Sequence, residues 1–224
     1  PVWSPDGNRV VFRSVRGGIA GIYEKEANSV GGETLLLKGG GEPTDWSRDG
    51  RFIVYSVITE PTRLDIWALP LFGEQQPYPL LNSEFAETQA QISPDGRWLV
   101  YVSDESGSDE VYAQAFTPEG RLGKNKVRVS PNGGRHPRFR RDGRELFFVA
   151  ADGQMMVAVL TPNTTTFEFA RPQAIFKTHL LPGHYNLGIE YDVTADGQRF
   201  LIGTLVDEPP PVQVILNWAA GLKP

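Results

Sequence analysis

The sequence predicts an all-β protein, a β-propeller of four-stranded antiparallel blades. Three observations predict this fold: a turn phrase that recurs at a near-constant interval, an apolar run after each copy, and an abundance of turn-forming residues. The 224-residue chain contains 24 glycines and 18 prolines, and these residues favour turns between many short elements. With 40% apolar residues, the chain is also long enough to bury a sizeable core.

The repeated phrase has the form aromatic-Ser-Pro-Asp-Gly, and its first copy spans residues 3–7. Successive Asp residues of the phrase are 43, 46, 47 and 54 positions apart, a spacing typical of one four-stranded blade per repeat. Its Asp-Gly pairs are Asp6-Gly7, Asp49-Gly50, Asp95-Gly96, Asp142-Gly143 and Asp196-Gly197. Its aromatic or branched position holds Trp3, Trp46, Ile92, Phe139 and Val193. We expect these five side chains to be buried at equivalent positions.

Each repeat predicts four strands in order. The first strand ends at the aromatic position, and the Pro and Gly of the phrase then make a tight turn. The second strand is an apolar run, at residues 10–12, 52–55, 98–101, 146–148 and 200–202. A third strand is predicted at residues 22–23, 65–67, 110–112, 156–157 and 214–215, and a fourth near Leu35, Pro79, Val127 and Ala174. Continuous apolar runs fit strands that are covered on both faces, as in stacked blades.

The whole chain, 1–224, is therefore predicted to be a single propeller region with five blades. Their approximate bounds are 1–39, 40–81, 82–130, 131–177 and 178–218. A β-sandwich of short strands is the alternative, and five copies of one phrase favour the propeller. Because the fifth repeat has room for only three strands, we expect the chain to be a C-terminal fragment of a larger propeller.

The repeats resemble the TolB-like β-propellers, which are built on W-S-P-D-G phrases. The resemblance is greater to the propeller that forms the C-terminal region of many bacterial transmembrane serine/threonine protein kinases. It covers almost the whole chain and rests on residues 43–47, 93–98, 103–107, 133–137, 196–201 and 214–218. It implies a ligand- or protein-binding sensor region of a receptor-type kinase, periplasmic or otherwise extracytoplasmic, with the kinase domain upstream. A TolB-type periplasmic scaffold for an envelope complex and the non-catalytic propeller of a hydrolase remain alternatives.

Several classes of function are disfavoured by the residues themselves. A net charge of −5 gives little long-range attraction to nucleic acids or anionic membranes, and no apolar stretch has the length of a membrane helix. The chain has no cysteine, and its three histidines lack partners at metal-ligand spacing. It contains neither a G-x-S-x-G nucleophile motif nor the signature motifs of a kinase. We therefore expect no catalytic residues, metal or cofactor in this segment.

The two ends of a propeller channel collect the loops of all blades. The uniform Asp-Gly turns lie at one end, the turn face, and their uniformity indicates a structural role. The second-to-third and fourth-to-first connections lie at the other end, the loop face, and vary in sequence. We predict that this face binds a protein, a peptide or a small polar ligand. Its candidate residues are Arg63, Glu84, Glu87, Glu105, Arg135, His136 and His184.

Overall fold

The computed structural model describes residues 1–28, 30–59, 63–162, 165–178, 180 and 190–203, with only the backbone of Arg63. Every helix or strand assigned within these ranges is a β-strand. The strands form four four-stranded antiparallel sheets and one two-stranded pair. In each four-stranded sheet the strands are adjacent in chain order, as the repeat predicts.

The first two blades are regular sheets of four strands. Blade 1 contains β1 (Val2–Trp3), β2 (Arg9–Arg16), β3 (Ile19–Glu26) and β4 (Thr34–Lys38). Blade 2 contains β5 (Glu42–Trp46), β6 (Phe52–Thr59), β7 (Arg63–Pro70) and β8 (Tyr78–Leu81).

The next two blades have the same order, and a strand pair follows them. Blade 3 contains β9 (Glu87–Ile92), β10 (Trp98–Ser103), β11 (Glu110–Phe116) and β12 (Leu122–Arg128). Blade 4 contains β13 (Gly134–Phe139), β14 (Glu145–Ala150), β15 (Gln154–Val159) and β16 (Gln173–Lys177). Blade 5 is described for β17 (Tyr191–Val193) and β18 (Phe200–Ile202). Its predicted third strand, at residues 214–215, lies outside the described residues.

The first strands of successive blades are neighbours around a common axis. Strand β5 contacts β1 on one side and β9 on the other, and β13 contacts both β9 and β17. The sheets are therefore blades arranged around a channel lined by their first strands. We call this the central channel. The predicted all-β propeller is confirmed.

The hydrophobic core consists of layers between adjacent blades. Val54, Leu99 and Tyr101 belong to the layer between blades 2 and 3. Val100 and Leu146 belong to the layer between blades 3 and 4. Neighbouring residues of β10 thus face opposite layers, which explains why the second strands are apolar at consecutive positions. Each inner blade depends on both of its neighbours for burial.

The Asp-Gly phrase forms a hydrogen-bonded turn between the first two strands. In blade 2 the Ser47 hydroxyl donates to Asp49 Oδ1 over 2.7 Å and accepts from the Phe52 amide over 2.8 Å. Asp49 Oδ1 also accepts from the Arg51 amide at 3.0 Å. Gly50 has φ +75°, a left-handed conformation that side chains other than hydrogen disfavour. The carboxylate of Asp49 therefore stabilises the turn.

The same turn recurs in the other blades, but in blade 4 another type of side chain replaces the hydroxyl donor. Ser4, Ser93 and Thr194 take the role of the hydroxyl donor in blades 1, 3 and 5. In blade 4 the position is Arg140, and its guanidinium pairs with Asp142 at 2.9 Å and with Glu145 at 3.1 Å. An ion pair thus replaces the hydroxyl–carboxylate bond on a surface turn.

The expected burial of the aromatic position is correct for three blades and wrong for Trp3. Trp46, Ile92 and Phe139 are buried, Val193 is partly buried, and Trp3 is 59% exposed. Trp46 is covered because it packs on blade 1, beside Val11 and Ile22. No described blade lies on the corresponding side of blade 1, and Trp3 is therefore covered much less than Trp46.

Candidate functional site: the central channel

The residue just before the aromatic position occupies an equivalent place in each first strand. Asp45 pairs with Val54, Gln91 with Val100, Arg138 with Phe147 and Asp192 with Leu201 across the sheet. This column lines the central channel, and its side chains are polar in blades 2 to 5, whereas blade 1 has Val2 at this place. A strand that served packing alone would not require such residues there.

Two members of this column connect adjacent blades. The Ile92 amide of blade 3 donates to Asp45 Oδ2 over 2.8 Å. The Phe139 amide of blade 4 donates to Gln91 Oε1 over 2.7 Å. The carboxylate of Asp45 and the side-chain amide oxygen of Gln91 thus accept equivalent hydrogen bonds from the backbone of the following blade. Asp45 and Gln91 have a structural role that needs only an acceptor.

A bulge places His136 inside the channel wall. Gln89 and His136 have φ values of 55° and 56°, which are rare outside glycine, and the ladder shifts register beside each of them. The His136 amide donates to Gln89 Oε1 over 2.7 Å, and its buried Nδ1 has no hydrogen-bond partner. Burial lowers the pKa of His136 to about 4, although the negative charge of Glu190 opposes this shift. The imidazole is therefore neutral at pH 7.

A cleft of about 470 Å³ occupies the loop-face end of the channel. Strands β5 and β17 begin beside it, and β18 ends there. Its polar lining consists of Glu42, Arg138, Glu190, Tyr191 and Asp192. The cleft is thus lined by residues of blades 1, 2, 4 and 5.

Arg138 is the positive charge of this cleft. Its Nε is buried and has no hydrogen-bond partner, and burial lowers the pKa of its guanidinium while Asp45, Tyr191 and Asp192 act against that effect. The same environment raises the pKa of Asp45 to about 6, because burial outweighs the attraction of Arg138 and the hydrogen bond from the Ile92 amide. Perturbed groups gathered in a cleft are typical of binding and catalytic sites.

Tyr191 contributes a second donor without a partner. The residue is 4% exposed, and its hydroxyl is buried with no hydrogen-bond partner. Burial raises the pKa of this phenol above its ordinary value, so the hydroxyl keeps its proton. The ring packs with Phe147 and Met155 in the apolar layer between blades 4 and 5, so this hydroxyl belongs to the core beside the cleft.

The predicted loop-face residues that the structure describes have different surroundings. Glu84 is exposed, Glu105 pairs with Lys126, and Arg135 pairs with Asp109. His136 lies in the channel wall. The side chain of Arg63 and the whole of His184 lie outside the described residues.

Glu87 belongs to a separate group of acids between blades 2 and 3. It is 2% exposed, accepts a hydrogen bond from Ser83, and has a buried Oε2 without a partner. Burial raises its pKa, and the negative charges of Asp65 and Asp104 raise it further. Within the described residues, no group of three or more His, Asp or Glu side chains has an arrangement that could hold a metal ion.

The residues that sequence reasoning missed are Asp45, Arg138, Glu190, Tyr191 and Asp192. A signal for three of them was present, because aligning the repeats on their Asp-Gly pair produces a column of Val2, Asp45, Gln91, Arg138 and Asp192. Polar residues in that column are unexpected beside a buried aromatic position. Tyr191 carried no such signal.

No protein-family model matches the chain. Among curated proteins it is similar to the uncharacterized protein Atu1656 of Agrobacterium fabrum (strain C58 / ATCC 33970), with 30% identity over 103 residues. The match covers 45% of this chain and 34% of that protein.

Among solved structures the chain is similar to TolB from Acinetobacter baumannii, with a TM-score of 0.67 at 19% identity over 92% of this chain. The fold is that of a TolB-like β-propeller. The periplasmic gluconolactonase PpgL of Pseudomonas aeruginosa is also similar, with a TM-score of 0.58 at 18% identity over 88% of this chain. The chain covers 48% of TolB and 62% of PpgL. Within the described residues no helix has the length and hydrophobicity needed to cross a membrane.

Proposed function

We propose that this propeller is a non-catalytic binding module whose polar ligand or peptide enters the central channel from the loop face. One observation carries the proposal: Arg138 lines this open cleft, and its buried Nε has no hydrogen-bond partner. Buried polar groups in folded proteins are nearly always paired, so this guanidinium is suited to a bound group. The volume of the cleft lies within the usual range for small-molecule sites.

The parent protein that best fits this module is a bacterial receptor-type kinase with the propeller outside the cytoplasm. The sequence resemblance supports this assignment, and one structural neighbour is named as periplasmic. A TolB-type periplasmic scaffold is the second candidate, since TolB is itself among the structural neighbours. Reading the parent gene distinguishes them: a kinase domain and membrane helix upstream support the receptor, whereas a signal peptide and a small α/β domain support the scaffold.

An enzyme is the third possibility, because the neighbours include a gluconolactonase. Thermal shift measurements with δ-gluconolactone, gluconate and a panel of dipeptides would test for binding, and NMR spectra of the lactone over time would test for turnover. We expect binding that depends on Arg138 and no hydrolysis above background. Arg135→Met is the matched control, because it removes a loop-face charge outside the cleft. Lactone turnover that Asp45→Asn abolishes would instead establish an enzyme.

A further inference from the structure

The turns of the turn face carry an excess of positive charge, although the chain as a whole has a net charge of −5. In blades 1, 3 and 5 each turn contains one acidic and one basic side chain, whereas in blades 2 and 4 basic side chains exceed acidic ones by one. The five turns compared are residues 4–9, 47–52, 93–98, 140–145 and 194–199. Blades 2 and 4 differ because they have Arg48 and Arg141 at the place that holds proline in blades 1 and 3.

The two arginines belong to one continuous surface formed by three consecutive turns. Both residues are exposed, and Arg48 Nη1 donates to the backbone carbonyl of Arg141 over 3.1 Å. The Arg48 side chain therefore reaches from the turn of blade 2 to the turn of blade 4. Pro94, in the turn of blade 3, lines the same cleft as Arg48 and lies beside Gly143 of blade 4.

The carboxylates of these three turns already have partners. Asp95 pairs with Arg97 at 2.7 Å. Asp142 pairs with Arg140 at 2.9 Å, and Asp49 accepts the hydrogen bonds that stabilise its own turn. Among the described residues, the ion pairs include neither of the two exposed arginines. Their charge is therefore not neutralised by a neighbouring carboxylate.

The turn itself does not require an arginine at this place. Blade 3 forms the same hydrogen-bonded turn with Pro94, in which Ser93 donates to Asp95 over 2.6 Å. Proline is the favoured residue at this position of a tight turn because its fixed φ matches the turn backbone. Arg48 and Arg141 thus add charge to the turn face without serving the fold of the turn.

We propose that the turn face of blades 2 to 4 binds an acidic segment of a partner protein through Arg48 and Arg141. Guanidinium groups suit carboxylates because their donors match both oxygens, and a local excess of positive charge attracts acidic chains. The surface is open and extends over three turns, so a chain with several carboxylates fits it better than one small anion, which is usually held in a pocket. This site lies at the end of the channel opposite to the cleft of Arg138 and does not depend on a ligand there.

The test is a titration of the chain with N-acetylated hexaglutamate at low ionic strength, observed through the NMR signals of the arginine Nε–H groups. We expect the signals of Arg48 and Arg141 to shift, and added salt to weaken binding because it screens exposed charges. Hexaglutamine, which has the same length without the side-chain charges, should not bind. Absence of hexaglutamate binding, or shifts confined to arginines elsewhere, would overturn the inference. If inorganic phosphate displaces the peptide at equal concentration, the ligand is a small anion and the proposed partner is wrong.

Arg48→Pro and Arg141→Pro separate binding from a structural role. Among the described residues, neither arginine N–H donates in a backbone hydrogen bond, so proline removes the charge while it keeps the turn. We expect an unchanged or higher unfolding midpoint, a severalfold weaker affinity in each variant and no measurable binding in the double variant. Arg128→Gln is the matched control, because it removes an exposed charge from the outer strand of blade 3, and it should leave the affinity nearly unchanged. Wild-type affinity in the double variant would contradict the assignment.

Discussion

At the residue scale, the central channel contains two titratable groups whose pKa values are shifted in opposite senses. Burial raises the pKa of Asp45 from 3.8 to about 6 and lowers that of His136 from 6.5 to about 4. The Asp45 contribution to stability is present below pH 3.8 and is lost as the pH rises through 6. The His136 contribution is present above pH 6.5 and is lost as the pH falls through 4. The two effects nearly cancel in the wild type.

In the Asp45→Asn variant, the pH dependence of stability should reflect the titration of His136 alone of these two groups. An amide oxygen can accept from the Ile92 amide as Gln91 does for Phe139, so the variant should fold. One pKa unit corresponds to about 1.4 kcal/mol. The difference in unfolding free energy, variant minus wild type, should therefore increase by roughly 2–3 kcal/mol as the pH rises from 4 to 6. Urea unfolding at a series of pH values measures this difference.

His136→Gln is the complementary variant and should show the reverse trend, with stability falling as the pH rises over the same interval. A flat difference between Asp45→Asn and wild type across pH 4 to 6 would mean that Asp45 titrates at its ordinary pKa and is not desolvated.

Ser47, which supplies the hydroxyl of the turn phrase, also has a measurable effect on stability. Ser47 is 4% exposed, and its Oγ is the acceptor for the Phe52 amide. Ser47→Ala should lower the unfolding free energy by about 1–3 kcal/mol, because a buried amide loses its acceptor. Ser106→Ala is the control: Ser106 is exposed and bonds only within its own loop. Chemical denaturation of both variants would show equal effects if the turn geometry were unimportant.

At the element scale, the aromatic residue that ends the first strand stabilises a blade only through the preceding blade. Trp46 packs on blade 1, and the guanidinium of Arg9 lies 4.8 Å from its ring centre. Trp46→Ala should therefore lower the unfolding free energy by about 3–5 kcal/mol. Trp3→Ala is matched to it, at the equivalent position of blade 1, and should change stability by less than about 0.5 kcal/mol because its indole is exposed. Similar losses in the two variants would contradict this account.

The features of the blades that the sequence could predict are those specified by nearby residues. Pro, Asp and Gly specify the turn within five residues, and the apolar runs identify the second strands, so the blades followed from the spacing. The bulges at Gln89 and His136 escaped prediction because nothing in either residue type signals a positive φ. Burial of Trp3 was wrongly expected because it depends on a neighbouring blade, which the phrase itself does not encode.

The candidate site was harder to predict than the fold for the same reason. Arg138 and Tyr191 meet in one cleft only because blades 4 and 5 curve around the axis, and no local pattern fixes that curvature. Variable loop sequences directed attention to the rim of the loop face. The polar residues of the first strands form the better-defined cleft.

At the scale of the whole molecule, stability is distributed in layers between neighbouring blades. Blade 3 shares one layer with blade 2 and another with blade 4, and strand β10 is buried along most of its length. Within the described residues, blade 1 takes part in one such layer, with blade 2. Repeat proteins with this organisation have stabilities that depend chiefly on nearest-neighbour interfaces.

Hydrogen exchange should therefore vary along the ring. We expect the slowest amide exchange in β10 and β11, which are covered on both sides, and faster exchange in β2 and in β18, where Leu201 is 78% exposed. Trp46→Ala weakens the layer between blades 1 and 2, so it should accelerate exchange in β2 and β6 far more than in β14. Mass spectrometry of peptides from wild type and variant measures both effects. A uniform acceleration in all strands would show that the blades unfold as one cooperative unit, because opening would then require the loss of every interface at once.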